Sequence, residues 1–108
     1  VTGTCMMVKK EVYQEMNGLN EKDLGITFND IDFCLRLREK GYLVVYTPFA
    51  ELYHHESLSR GYEVAMNEIK YMQRKYAGIL KNGDPYYNHN LTQERFDFSL
   101  RVEDKVVD

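Results

Sequence analysis

Two short polar stretches of this chain carry side chains that could do chemistry. The first is Asn29-Asp30-Ile31-Asp32, at the start of a predicted helix. A carboxylate at a helix N-terminus has its charged form stabilised, so it can act as a general base toward an incoming hydroxyl group. A purely structural role suits the same residues, since Asn is a favoured N-cap and first-turn carboxylates stabilise a helix by about 0.3 to 1 kcal/mol each.

The two aspartates of this stretch cannot both serve one site. We expect Asn29 to cap the helix and Asp30 to occupy its first position, so that Asp32 follows two residues later. At about 100° of rotation per residue, the two side chains point about 200° apart around the helix axis. Only one of them can be the base.

The second polar stretch, residues 52–61, follows a predicted strand. It contains, in order, His54, His55, Glu56, Ser57, Ser59 and Arg60. Adjacent residues of a strand point to opposite faces, so at most one of the two histidines joins a given site. A histidine with nearby carboxylates suits a divalent metal ion, and the serines and the arginine are donors suited to phosphate oxygens. The alternative is that a histidine at a strand end is structural.

Composition and charge place the chain among ordinary globular proteins. Its 108 residues are 44% hydrophobic and 29% charged, with 2 Pro and 7 Gly, which is outside the disordered and collagen-like classes. The formal charge is −3 and both signs occur throughout, so nucleic-acid binding is not expected. No apolar run approaches the ~20 residues of a membrane span, and no signal peptide is visible. The opening TGTCMMV resembles a buried strand and lacks Met before it, so we expect the chain to begin inside a larger domain.

The hydrophobic pattern predicts an α/β architecture in which a few strands accompany helices. Strands are predicted at residues 4–8, 42–47, 50–53 and 96–102. Helices are predicted at residues 10–16, from residue 29 to a stop at Gly41, and from about residue 62 to 80, the last as one long amphipathic helix. Residues 19–28 are predicted to form a loop. Cys5 and Cys34 lie in apolar contexts and are expected to be buried thiols of the core.

Three separated segments, in this order, resemble the C-terminal half of a bacterial family 2 glycosyltransferase with the GT-A fold. They read VTGTCMMVKKEVYQEMNGLNE, FNDIDFCLRLREKGYLVVYTPFAELYHHESLSRG and GDPYYNHNLTQERFDFSLR. The resemblance covers residues 1 to about 101. It implies that residues 1–108 are the acceptor-side part of a GT-A domain. The N-terminal half, which binds the nucleotide sugar and ends in a DxD-type metal motif, is not in this sequence.

The resemblance implies a role for each matched acidic residue. Asp30 matches the aspartate of the family's ED-type motif, which is the general base in inverting members. Asn29 stands where many members have Glu, a departure that leaves the base itself intact. Asp32 and Arg36 match the second part of the motif and would serve the acceptor site or a structural salt bridge.

The resemblance also implies roles for the stretch 52–61. His54 matches a histidine that completes the coordination of the donor's Mg²⁺ or Mn²⁺, and His55 is the weaker candidate. Ser57, Ser59 and Arg60 fall in the segment that lies against the diphosphate of the donor.

The enzyme implied by this resemblance transfers a sugar, with inversion, from a nucleotide-diphosphate donor to a saccharide or lipid-linked acceptor. It would work in cell-envelope or exopolysaccharide synthesis, in the cytoplasm or at the inner face of the membrane, with peripheral membrane association. The present chain alone would be inactive, because the metal that stabilises the leaving diphosphate is held mainly by the other half. Its open sheet edge and uncovered apolar face predict self-association.

Two other function classes stay open at this point. One is a non-catalytic interaction module derived from such an enzyme, for which Asn29 is the only hint. Metal-dependent binding of a nucleotide diphosphate by the intact protein would favour the enzyme. The other is a stand-alone metal-binding domain that uses His54, His55 and Glu56, and tight binding of Mn²⁺ or Zn²⁺ by this chain would favour it.

Overall fold

The computed structural model describes residues 2–55 and 65–102, and helices are its regular elements. They are α1 (Lys10–Glu15), α2 (Asn29–Glu39), α3 (Met66–Lys75) and α4 (Ala77–Asn82), and a 3₁₀ turn at Gly3–Cys5 precedes them. The chain divides into two compact units, Val1–Lys75 and Tyr76–Asp108. Within the described ranges, no helix has the length and apolar character needed to span a membrane.

The predicted strands do not form in the described part of the chain. Residues 3–5 turn into a 3₁₀ helix, and residues 42–47 lie outside any regular element. The one β-pairing that the described residues show is an isolated antiparallel bridge between Leu91 and Leu100. A strand is stabilised by backbone hydrogen bonds to a neighbouring strand, and among residues 2–55 and 65–102 none lies beside these segments. The helical part of the α/β prediction is therefore confirmed, whereas its strands are not.

The core of the first unit forms where α1 and α2 pack together. Met16, Phe33 and Leu37 make up its buried cluster, and Met6, Val8, Val12 and Val44 pack against it from positions that are partly exposed. Cys5 is exposed and Cys34 is half-buried, so the prediction of a core position is wrong for Cys5. The 3₁₀ turn carries the side chain of Cys5 out of the strand-like pattern on which that prediction depended.

Helix α1 ends where the sequence predicts. Asn17 and Gly18 both have positive φ, at 58° and 65°, a backbone conformation that Gly and Asn tolerate best. A Cβ at Gly18 would also lie 2.9 Å from the hydroxyl oxygen of Tyr13, so that side chain would have to shift. The helix stop is thus set by local backbone chemistry.

Helix α2 has the predicted length, but its first turn differs from the expectation. Phe28, with φ of 60°, is the N-cap residue and makes no side-chain capping bond. Asn29 is therefore the first helical residue and Asp30 the second. The buried residues of α2 are Asp32, Phe33 and Leu37, so an aspartate lies among the apolar side chains that this helix buries.

The prediction of one long helix over residues 62–80 is wrong. Residues 62–64 lie outside the described residues, and Tyr76, with φ of −111° and ψ of 27°, separates α3 from α4. Gly78 follows two residues later, and glycine costs a helix about 1 kcal/mol relative to Ala. The buried residue of α3 is Glu68, whereas the apolar side chain of Met66 is 63% exposed.

The described part of the second unit, residues 76–102, contains α4 and a chain of turns, as its turn-forming residues predict. Side-chain oxygens of Asp84, Asn88 and Asp97 each accept a hydrogen bond from the backbone N–H two residues later, at 2.8 to 3.1 Å. Such bonds replace the backbone pairing of a regular element. The hydroxyl of Tyr87 donates to the carbonyl of Thr92 at 2.8 Å, which closes the middle of the chain of turns.

Candidate functional site

Asp30 lies in the first turn of α2 and is half-buried. Its Oδ2 accepts the backbone N–H of Gly3 at 2.8 Å, and its Oδ1 accepts the N–H of Ile31 at 2.8 Å. A carboxylate has about four acceptor positions, so these two bonds fix its orientation and leave lone pairs for a third partner. The arrangement suits a base that takes a proton from a bound hydroxyl group.

Asp32 lies in the interior of the first unit. Its side chain is fully buried, its Oδ2 lies 2.9 Å from Arg36 Nε, and its Oδ1 lies 2.7 Å from Lys75 Nζ. Burial lowers the pKa of Lys75, but the hydrogen bond and the negative charge of Asp32 raise it, and the net result lies above the ordinary value. Asp30 and Asp32 thus have different partners, as their predicted divergence around the helix requires.

Arg36 joins α2 to the chain that follows α1. Its two terminal nitrogens donate to the carbonyls of Met16 and Gly18, both at 2.7 Å, and its guanidinium lies 5.4 Å from the ring centroid of Phe33. Together with the ion pair to Asp32, these bonds use most of its donors. Of the two duties that the resemblance implies for this pair, the geometry favours the structural salt bridge.

The loop of residues 19–28, which leads into α2, is held by side chains of α3. Glu68, 2% exposed, accepts the N–H groups of Ile26 and Thr27 at 2.9 and 3.1 Å and the hydroxyl of Thr27 at 3.4 Å. The N–H of Ile26 is the main cause that lowers the pKa of Glu68, and the bonds from Thr27 add to it against the opposing effect of burial. Asn20 donates to the Tyr71 hydroxyl at 2.9 Å.

Sequence reasoning missed Glu68, although a signal for it was present. An apolar stripe runs through Ala65, which directly precedes α3, and through Ile69 and Met72 of α3. Residues three and four apart share one helix face. Glu68 is three residues after Ala65 and four before Met72, so it lies on the face that packs inward. A carboxylate on such a face needs a partner, which here is the loop.

Asn29, the departure from the ED-type motif, has a contact of its own. Its Nδ2 donates to the carbonyl of Leu24 at 3.4 Å, and Leu24 is fully buried. A glutamate in this place has no donor for that carbonyl when it is ionised. Asn29 also lines an open hollow of about 420 Å³ at the surface of the first unit, together with Tyr13, Gln14 and Glu21.

Only some of the predicted metal and diphosphate residues belong to the described ranges. His54 and His55 are exposed, while Glu56, Ser57, Ser59 and Arg60 lie outside the described residues. Among the described residues there is no group of three or more His, Cys, Asp or Glu side chains that could hold a metal ion. The described residues therefore do not by themselves fit a divalent-metal site.

This chain is similar in sequence to known proteins over nearly its whole length. The model of the Glycosyl transferase family group 2 matches residues 1–103. The uncharacterized protein y4gI of Sinorhizobium fredii is 46% identical over 107 residues, and the match covers 93% of this chain and 12% of that protein. The O-antigen biosynthesis protein RfbC of Myxococcus xanthus is 36% identical over 106 residues, with 94% and 8% covered.

A third relative matches a smaller part of this chain. The N-acetylglucosaminyl-diphospho-decaprenol L-rhamnosyltransferase of Mycobacterium tuberculosis is 29% identical over 76 residues, with 70% of this chain and 24% of that protein covered. No solved structure matches the chain. The chain thus spans between 8% and 24% of the length of these relatives. With a family match over residues 1–103, this chain belongs to glycosyl transferase family group 2.

Proposed function

We propose that this chain is the acceptor-side part of an inverting glycosyltransferase in which Asp30 is the general base. The observation that carries the proposal is the contrast between two neighbouring carboxylates. Asp32 is fully buried between Arg36 and Lys75. Asp30 is half-buried, and among the described residues its carboxylate accepts the N–H groups of Gly3 and Ile31. Asp30 is therefore the carboxylate of the pair that can meet a substrate.

The proposed reaction is a single displacement. Asp30 takes the proton from the acceptor hydroxyl while the oxygen of that hydroxyl attacks the anomeric carbon of the donor sugar. The bond from this carbon to the diphosphate oxygen breaks, and its electron pair leaves with the nucleoside diphosphate. Attack from the side opposite the leaving group inverts the configuration at the anomeric carbon, and the proton on Asp30 passes to solvent.

The proposed substrates follow from the family and from two relatives. Family membership supports a nucleotide-diphosphate sugar as the donor. The names of the relatives, an O-antigen biosynthesis protein and an N-acetylglucosaminyl-diphospho-decaprenol L-rhamnosyltransferase, support a saccharide or lipid-linked acceptor. They also support work in cell-envelope synthesis. Both relatives are much longer than this chain, which supports activity within a longer enzyme and an inactive chain on its own.

The hollow beside Asn29 is proposed to hold part of the acceptor. Its volume of about 420 Å³ lies in the usual range for small-molecule sites. Amide, carboxylate and phenol groups from Gln14, Glu21 and Tyr13 line it, and such groups hydrogen-bond to sugar hydroxyls. Its position next to the residue that precedes Asp30 supports this assignment.

His54 stays a proposed ligand of the donor's Mg²⁺ or Mn²⁺ in the complete enzyme. Family 2 glycosyltransferases generally use such ions, and the remaining ligands would come from outside this chain. If His54→Ala left the dependence of sugar transfer on divalent metal unchanged, the proposed ligand role would be wrong.

The base assignment is tested with Asp30→Asn in the complete transferase that contains this chain. Asparagine keeps an oxygen to accept the N–H of Gly3 but cannot take a proton, so kcat is expected to fall by about 10² to 10⁴-fold. The measurement is steady-state sugar transfer, and circular dichroism checks folding. The control is Glu39→Gln, which neutralises an exposed carboxylate at the other end of α2. Normal transfer by Asp30→Asn would rule out its role as the base.

A further inference from the structure

We propose that Glu68 is a positioning residue for Asp30. Its carboxylate fixes the C-terminal end of the loop of residues 19–28, and that loop end sets where α2 begins. The proposal rests on the proposed function, since it takes Asp30 as the base.

The contact between Glu68 and the loop is specific in its geometry. One carboxylate oxygen, Oε1, accepts two consecutive backbone N–H groups, those of Ile26 at 2.9 Å and Thr27 at 3.1 Å. The other oxygen, Oε2, accepts the Thr27 hydroxyl at 3.4 Å. Two adjacent N–H groups that converge on one anionic oxygen define both the position and the direction of the backbone.

Because Glu68 is buried, its carboxylate depends on this contact. It is 2% exposed, and in the described part of the chain no cation forms an ion pair with it. A buried carboxylate without a counter-ion is costly unless hydrogen bonds replace its water. The N–H groups of the loop supply those bonds, so the loop and the carboxylate stabilise each other.

The loop end that Glu68 holds continues directly into the site. Thr27 is followed by Phe28, whose positive φ of 60° is unfavourable for a bulky residue and which has no side-chain capping bond. The carbonyl of Phe28 accepts the N–H of Asp32 at 2.9 Å and so starts the hydrogen bonding of α2. Phe28 does not stabilise this turn with a side-chain capping bond, so the bonds that Glu68 makes to the preceding residue, Thr27, help to hold it. Asp30 lies two residues after Phe28.

Removal of the Glu68 carboxylate leaves the other contacts of α3 in place. Lys75 still binds Asp32 at 2.7 Å, and Tyr71 still accepts from Asn20 at 2.9 Å. A variant at residue 68 is therefore expected to fold with α3 in position and with only the C-terminal end of the loop released. Function should change more than the overall fold does.

Three variants separate positioning from general stability. Glu68→Leu has a similar volume and no acceptor. Glu68→Gln keeps an oxygen for the two N–H groups, and its amide can donate to the Thr27 hydroxyl oxygen. Gln73→Ala is the control, because Gln73 is exposed on the same helix. Amide hydrogen exchange of Ile26 and Thr27 is measured in the 108-residue chain, and kcat and the two substrate KM values are measured in the complete transferase.

In Glu68→Leu, exchange at Ile26 and Thr27 is expected to accelerate at least about tenfold, because each N–H loses a charged acceptor. We expect kcat to fall by about tenfold or more while KM for the donor is unchanged, since the loop lies on the acceptor side. Glu68→Gln should restore most of both properties, and Gln73→Ala should match the wild type.

Two results would overturn the positioning role. One is wild-type exchange of both amides in Glu68→Leu. The other is accelerated exchange with wild-type kcat, measured alongside an Asp30→Asn variant that has lost transfer. Normal transfer by Asp30→Asn is a separate result, which overturns the base assignment and with it the positioning of a base, whatever the exchange rates are.

Discussion

The loop of residues 19–28 and the segment of residues 42–55 are two long non-helical stretches on either side of α2, and they are held very differently. Side chains of α3 bind the loop from 41 to 51 residues away along the chain, through Glu68 and Tyr71. The segment is bound near its start, where the Tyr42 hydroxyl donates to Glu15 at 2.7 Å and Val44 packs against the core. Farther along, large apolar side chains are exposed, namely Val45, Tyr46, Phe49, Leu52 and Tyr53.

This difference shows which irregular structure the chain specifies by itself. The loop is defined by buried polar contacts, each of which needs one particular backbone arrangement. The segment has the β-branched and aromatic residues of a strand, but within the described residues no neighbouring strand pairs with it. The proposed base thus lies beside the part of the chain that is fixed internally, whereas the segment presents a surface that another strand or chain could cover.

The largest expected effect concerns the ion pairs that fix the start of the loop. Asp32→Ala leaves Arg36 and Lys75 without their buried partner, and loss of one member of such a group costs about 3–5 kcal/mol. The free energy of unfolding of the 108-residue chain, from urea denaturation followed by circular dichroism, should fall by that amount. Asp23→Ala, at an exposed position, should change it by about 0.5 kcal/mol or less. Equal effects of the two variants would contradict the importance of this network.

A pair of identical substitutions compares the loop and the segment directly. Leu24 of the loop is fully buried and Leu52 of the segment is 73% exposed. Leu24→Ala removes packed methyl groups and should lower the free energy of unfolding by about 2–5 kcal/mol. Leu52→Ala should change it by about 0.5 kcal/mol or less. If Leu52→Ala were as costly in urea denaturation, the segment would be packed within this chain after all.

What could be predicted from the sequence was mostly local. Asn17, Gly18 and Gly41 end two helices through backbone conformations that depend on those residues alone. The divergence of Asp30 and Asp32 follows from helix geometry. These predictions needed no knowledge of which elements meet.

What could not be predicted depends on contacts between distant parts of the chain. Glu68 and Lys75 have partners that lie more than 40 residues away, and no local pattern identifies those partners. The strand prediction over residues 42–47 failed for a related reason, since β-propensity describes suitability for a sheet and a strand also needs a neighbour. The diphosphate candidates, within residues 57–60, lie outside the described residues.

Acid is expected to weaken the loop through Glu68. Its pKa in the folded state is lowered, chiefly by the N–H of Ile26, so the folded state binds a proton less readily than the unfolded state does. The resulting stabilisation is present above the ordinary pKa of 4.5 and is lost as pH falls through the lower folded value. Urea unfolding from about pH 6 to about pH 3 should therefore show a steeper loss in the wild type than in Glu68→Gln. Parallel losses in the two proteins would contradict this role of the carboxylate.

The smallest change in stability is expected in the segment, together with a change in association. Val45 is 73% exposed, so Val45→Lys should alter the free energy of unfolding by about 0.5 kcal/mol or less. We predict that the 108-residue chain self-associates through this apolar segment. Lysine protects exposed strands from pairing with other chains, so Val45→Lys should lower the mass found by light scattering. Ala50→Lys adds the same charge nearby without removing a large apolar side chain, so it should retain more of the association. A monomeric wild-type chain would contradict self-association. If the two lysine variants lost association equally, the loss would be due to the added charge rather than to the removal of apolar surface.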